Sequence, residues 1–155
     1  MTTDAAAPLF ATDEEALAAA EEAYAAYLAA SDAITAQGDG NLDGIKSLVT
    51  PRYFAEISPA FERLVQKGFR TSGGAEFDSL SLLRHDIRAD GTVLIQVYVC
   101  QDITEVSVVS GSGELEPILD RQNRLPLVIS VVADPEAPGD LLVDRSEVWG
   151  GRDFC

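Results

Sequence analysis

The sequence predicts an α+β fold, three N-terminal helices packed on an antiparallel sheet of about five strands. Three observations carry this. Apolar residues recur at helical spacing as far as Gly68, and with period two after Thr71–Gly74. The turn signals among the later segments are short, which makes successive strands antiparallel. The chain has 155 residues and a 46% hydrophobic share, enough for one domain on one core.

The first helix starts at Thr12, a hydroxyl cap with the Glu15 carboxylate three residues on, and the acids of its first turn suit the helix dipole. Leu17, Ala20, Tyr24, Tyr27, Leu28 and Ile34 form its apolar stripe, and Gln37–Gly40 stops it. Leu42, Ile45, Leu48 and Val49 suggest a short second helix. Thr50-Pro51 starts the third, which runs through Phe54, Phe61, Leu64 and Val65 to Gly68, with a kink or restart expected at Pro59. Strands are expected over 76–85, 92–102, 104–110, 125–133 and 141–149. In the second, Val93, Ile95, Val97 and Val99 share one face, and Leu94, Gln96, Tyr98 and Cys100 the other. Ala89–Gly91 and Ser110–Gly113 are turn signals, and Asp134–Asp140 reads as a polar loop. The expected core is Leu17, Tyr24, Leu28, Phe54, Phe61 and the Val93–Val99 face. Residues 1–11 read as a flexible remnant or tether, and 12–155 as a single α+β domain.

Twenty-six acidic residues against 11 basic ones give a net charge of −15. Nucleic-acid phosphates and anionic membrane surfaces both need Lys and Arg clusters, so neither is an expected partner. The acids are scattered, as on a solvated surface. No apolar run approaches the ~20 residues that cross a bilayer. Cys100 ends a β-like run, and Cys155 is the last residue. One bridge accounts for both, stapling the C-terminus to a strand with Cα atoms about 4.4–6.8 Å apart. Two free thiols in a reducing compartment are the other reading. Met1–Pro8 lacks the basic start and apolar core of a signal peptide, so with a bridge an export signal would precede this sequence.

Three helices followed by a long antiparallel meander, from Thr12 to Trp149, resemble the cone-shaped nuclear transport factor 2-like (cystatin-like α+β) superfamily. A closer resemblance is to small exported actinobacterial proteins and lipoproteins. It rests on Pro8–Ala16, on Val97–Asp102, and on the stretch from Glu147-Val-Trp149 to Cys155. The superfamily resemblance implies a sheet curved around the helices, with a pocket at the open end of the cone. The exported resemblance implies a cell-surface or extracellular location. Some superfamily members are isomerases or dehydratases, others only bind or dimerise, so fold alone selects no activity.

Candidate chemistry is sparse. In the isomerase-like reading Asp102 and Tyr98 would be catalytic, which requires a buried carboxyl with a raised pKa beside a tyrosine donor. The alternative makes Asp102 a strand-end turn residue. Tyr24, Tyr27, Tyr53, Tyr98 and Trp149 could line a pocket, or fill the core as aromatics on helix and strand faces commonly do. His85, the sole histidine, cannot form a dyad with its neighbour Asp86, which points to the opposite face, and a single unpaired histidine reads as a strand-end surface residue. The glycine pairs lack the context of phosphate loops, and Asp39–Asp43 lacks the ligands of a calcium loop. Two cysteines and one distant histidine make no zinc site. No metal or cofactor is expected.

Three function classes follow: an exported non-catalytic domain binding a small apolar ligand or a protein partner, an isomerase or dehydratase using Asp102 and Tyr98, and a homodimer formed through the exposed sheet face.

Overall fold

A computed structural model describes residues 10–117, 121–134 and 137–155. The fold is α+β, with helices first and antiparallel sheets after them. Helix α1 spans Asp13–Gln37, α2 Asp43–Lys46 and α3 Pro51–Gln66. The strands are β1 Arg70–Ser72, β2 Glu76–Ile87, β3 Val93–Asp102, β4 Ser107–Val109, β5 Leu115–Glu116, β6 Arg124–Asp134 and β7 Ala137–Val148.

Local chemistry sets the helix ends. Thr12 Oγ1 accepts the Glu15 amide at 3.1 Å, and the Glu15 carboxylate reaches back to the Ala11 amide. Gly38 closes α1 at φ 67°, its N–H donating to Ile34 O. A Cβ there would stand 2.6 Å from Arg70 Cγ, so both conformation and space select glycine. Thr50 caps α3 by accepting the Tyr53 amide, and its hydroxyl donates to Asp144 Oδ1 at 2.7 Å. That bond, with Thr50 N to Val143 O and Val143 N to Leu48 O, ties the helical layer to β7. Helix α3 continues through Pro59 without a restart. The Phe54 carbonyl there accepts the Ser58 hydroxyl at 2.6 Å.

The main sheet has the order β2-β3-β6-β7, antiparallel throughout. Helix α1 lies across β2, β3 and β7. The inner residues Val93, Ile95, Val97 and Val99 are buried against Tyr24, Leu28 and Ile34, with Ile129, Val131 and Val143 alongside. Each such side chain contributes ~1.5–3 kcal/mol relative to an exposed position. Leu17 and Phe54 are partly buried at the margin of this core, and Phe61 is buried.

The five-strand expectation differs in detail. A second sheet, ordered β1-β4-β5, stands apart from the main one. Its strands are two or three residues long, too short to carry a period-two signal. Arg70–Ser72, within the expected loop, is therefore a strand, and only Ser107–Val109 of the expected 104–110 strand is regular. The polar loop expected over Asp134–Asp140 is shorter too: Asp134 pairs with Ala137, and β7 begins there. Pro138 falls where the β6–β7 register shifts, between the Asp134–Ala137 and Ala133–Leu141 pairs, and has no ladder partner there. Residues 135 and 136 lie outside the described residues.

Candidate functional site

The site assembles on the face of the main sheet turned away from the helices. Register places Ser81, Tyr98, Val128 and Glu147 in one row there. The next row holds Asp78, Cys100 and Pro126, and Trp149 joins it by donating its backbone N–H to Pro126 O at 2.9 Å. After Trp149 the chain turns back over this face. Gly151 lies against the indole, where a Cβ would stand 2.6 Å from Trp149 Cζ2, so any larger residue would lift the tail. The turn brings Cys155 to Cys100, and the two form a disulfide with Cα atoms 5.5 Å apart. Cys100 is thereby fully buried on a face that would otherwise meet solvent.

The bridge fixes three aromatic rings. Tyr98 packs edge-on against Trp149 at 5.2 Å and against Phe154 at 5.6 Å. These rings, with Ser79 and Ser81, line a depression of about 280 Å³. Ser79 is the single non-glycine residue with positive φ among the described residues, at 59°. It sits in a bulge between Asp78 and Ser81, and its hydroxyl donates to Asp78 Oδ1 at 2.8 Å. Bulges and left-handed residues re-aim side chains, and here both occur at the lip of the depression.

The five aromatics named from the sequence fall into two groups on opposite faces. Tyr24, Tyr27 and Tyr53 lie on the helical side, with rings 6.0 and 6.1 Å apart in succession. Phe77 closes on Tyr24 at 5.0 Å. Burial raises the pKa of all three phenols, so they stay neutral. Tyr24 and Tyr53 belong to the buried core, and Tyr27 packs against it partly buried. Tyr98 and Trp149 line the outer depression.

Tyr98 and Asp102 do not converge. They share a face of β3 but lie four residues apart, about 13 Å along a strand, with the Cys100 bridge between them. Asp102 makes a turn instead. Its Oδ1 accepts the Thr104 amide at 2.9 Å, and its Oδ2 accepts Arg124 Nη1 at 2.9 Å. The Thr104 hydroxyl and amide, then the Arg124 guanidinium, hold its carboxyl below the usual carboxylate range. The isomerase-like chemistry needs a shift in the other direction. Arg124 Nη2 also bonds Asp78 Oδ1 at 2.9 Å and, chiefly through that bond, holds its carboxyl down.

This triad predicts an acid response. Both carboxyls have lower pKa values folded than unfolded, so their contribution is present above the unfolded values. It is lost as pH falls through the folded ones. An Arg124→Ala variant should be less stable than the parent at neutral pH, and the difference should shrink in acid. Urea unfolding across the carboxylate range measures it; a pH-independent difference would remove the triad from the account.

His85 departs from the surface reading. Strand β2 continues to Ile87, and the His85 ring is mostly covered, its Nδ1 3.2 Å from Asp13 Oδ1 and its ring 6.1 Å from Phe10. The partner comes from the start of α1, which no local spacing signals. Among the described residues no group of three or more His, Cys, Asp and Glu is placed to hold a metal ion.

No protein-family model matches the chain, and no curated protein matches it significantly. Solved structures do share its fold. One is a periplasmic fragment of TraM, at 14% identity and TM-score 0.55, covering 90% of this chain and 100% of that one. Another is the intermembrane space region of the chloroplast protein ARC6, at 12% identity and TM-score 0.50, covering 85% of this chain and 95% of that one. At these identities the likeness is one of fold.

Proposed function

We propose that this chain is an exported, extracytoplasmic binding domain without catalytic activity, whose contact surface is the outer sheet face around Tyr98, Trp149 and Phe154. The Cys100–Cys155 bridge carries the reading. Such bonds persist in oxidising compartments, and this one holds the aromatic tail over the sheet. The two similar folds support it: one is a periplasmic fragment, the other an intermembrane-space region. Among the described residues no helix is long and apolar enough to cross a membrane. Within this reading the chain is a member of the cone-shaped nuclear transport factor 2-like superfamily, supported by its element order.

The preferred occupant is an apolar side chain of a protein partner. Tyr98, Trp149 and Phe154 line an outer depression on the scale of one large side chain, whereas Tyr24, Tyr27, Tyr53 and Phe77 pack against one another on the helical side. Aromatic groups at such positions anchor interfaces. Geometry offers the isomerase or dehydratase reading no support, since Tyr98 and Asp102 do not converge.

Two measurements test the proposal. Thiols trapped in acid-quenched cells should take up a maleimide only after reduction; two labelled thiols without reductant would overturn export. Trp149 is the sole tryptophan, so its emission reports on the depression. Adding phenylalanine amide, an apolar side-chain probe, should shift that emission in the parent and in Asp102→Asn, but not in Phe154→Ser. A parent emission that does not respond would count against the depression as the contact surface.

A further inference from the structure

Strand β2 forms one edge of the main sheet, and among the described residues its outer side pairs with nothing. A free edge presents unpaired N–H and C=O groups, which proteins ordinarily blunt with lysine, proline, bulges or a covering element. The sequence of β2 has neither lysine nor proline. Its two bulges lie at Asp78/Ser81 and Leu82/Arg84, which leaves Arg84–Ile87 as a regular stretch. Around that stretch stand two exposed apolar side chains. Leu83, left without a partner on β3 by the second bulge, is 42% exposed, and Ile87 is 62% exposed. Between them Arg84 and Asp86 point to the outer face, both 56% exposed, and pair with each other at 3.3 Å.

This order is self-complementary. In the antiparallel register that sets His85 opposite His85 of a second copy, Arg84 faces Asp86 of that copy and Asp86 faces its Arg84. At each end of that register Leu83, at the bulge, comes near Ile87 of the second copy, so the exposed apolar side chains cluster there. Opposite charges directly across a ladder stabilise it, and like charges there destabilise it. A twofold arrangement of this kind brings the same patch of both copies together and closes the assembly at two.

We propose that the Leu83–Ile87 edge of β2 pairs antiparallel with the same edge of a second copy, about a twofold axis at His85, joining the two main sheets into one. This goes beyond the binding surface proposed above and does not depend on it, because the outer face near Trp149 stays free. One short ladder buries less than a standard interface. Each copy also carries a net charge of −15, which opposes association. The dimer therefore forms with rising concentration and is not obligate.

Charge exchange tests the register. Sedimentation equilibrium of the full chain should give a mass rising with concentration from 16.5 kDa toward twice that value. Arg84→Asp and Asp86→Arg should each weaken association by about tenfold or more, since either change sets two like-charge pairs across the axis. The first makes the net charge more negative and the second less so, hence bulk repulsion predicts opposite effects while the register predicts the same one. The double exchange, Arg84→Asp with Asp86→Arg, keeps the net charge and should restore association. Leu83→Lys, checked for folding by circular dichroism, should weaken it without touching either charge. A 16.5 kDa mass at every concentration would overturn the proposal. Unchanged association in the folded single variants, tighter association of Asp86→Arg, or no recovery in the double exchange would do the same.

Discussion

Reducing the Cys100–Cys155 bridge, or replacing Cys155 with serine, should lower the unfolding free energy by about 4 kcal/mol. The bond closes 55 residues, and in the chain-entropy model a loop of that length removes roughly this much freedom from the unfolded chain. Against the ~5–15 kcal/mol of a typical domain the loss is large. The loop contains β6 and β7, half of the main sheet. The local consequences are as specific. Gly150–Cys155 has no strand of its own, and Phe154 meets Tyr98 only while the tail stays folded back. In the reduced protein the amides of 150–155 should exchange at nearly unprotected rates, and Cys100 should become alkylatable. Urea unfolding with and without reductant measures the first effect, and hydrogen exchange the second. Equal stability in the two states would show that the tail contributes nothing to the fold.

What was legible in the sequence was what local chemistry decides. Thr12 and Thr50 cap helices because a hydroxyl followed by free amides makes a cap wherever it occurs. The odd positions of β3 are buried because a strand alternates its faces. The two cysteines pair at 5.5 Å as the bridge reading expected. Illegible were the decisions made across space. Periodicity places Tyr24 and Tyr98 each on an apolar face but cannot say that those faces look in opposite directions. Strands β1 and β5 have no pattern of their own and exist because β4 lies between them. Asp13 reaches His85 only after α1 crosses the sheet, and the bulge that turns Ser79 left-handed has no glycine or asparagine to announce it. Site residues Ser79, Ser81 and Phe154 were missed for the same reason. Phe154 carried the one usable signal: an aromatic beside a cysteine already expected to be bridged.

The two aromatic groups should separate sharply under truncation. Tyr24→Ala should cost ~3–5 kcal/mol, the range for emptying a large aromatic from a core. Its ring is 1% exposed, wedged between Phe77 and Tyr27, and the backbones of α1 and β2 hold the gap open. Tyr24→Phe should cost far less, because it keeps the ring and removes only a hydroxyl. Tyr98→Ala should cost ~1–2 kcal/mol. It gives up two edge-on aromatic contacts of ~0.5–1.5 kcal/mol each, at a surface site where solvent can fill the gap. Fluorescence of Trp149 reverses the ranking. Tyr98→Ala should move its native emission, since that ring is its neighbour at 5.2 Å, while Tyr24→Ala should leave it in place across the sheet. Similar costs for the two alanine variants, or an emission change in Tyr24→Ala, would mean that the aromatics form one continuous cluster and that the sheet does not divide them.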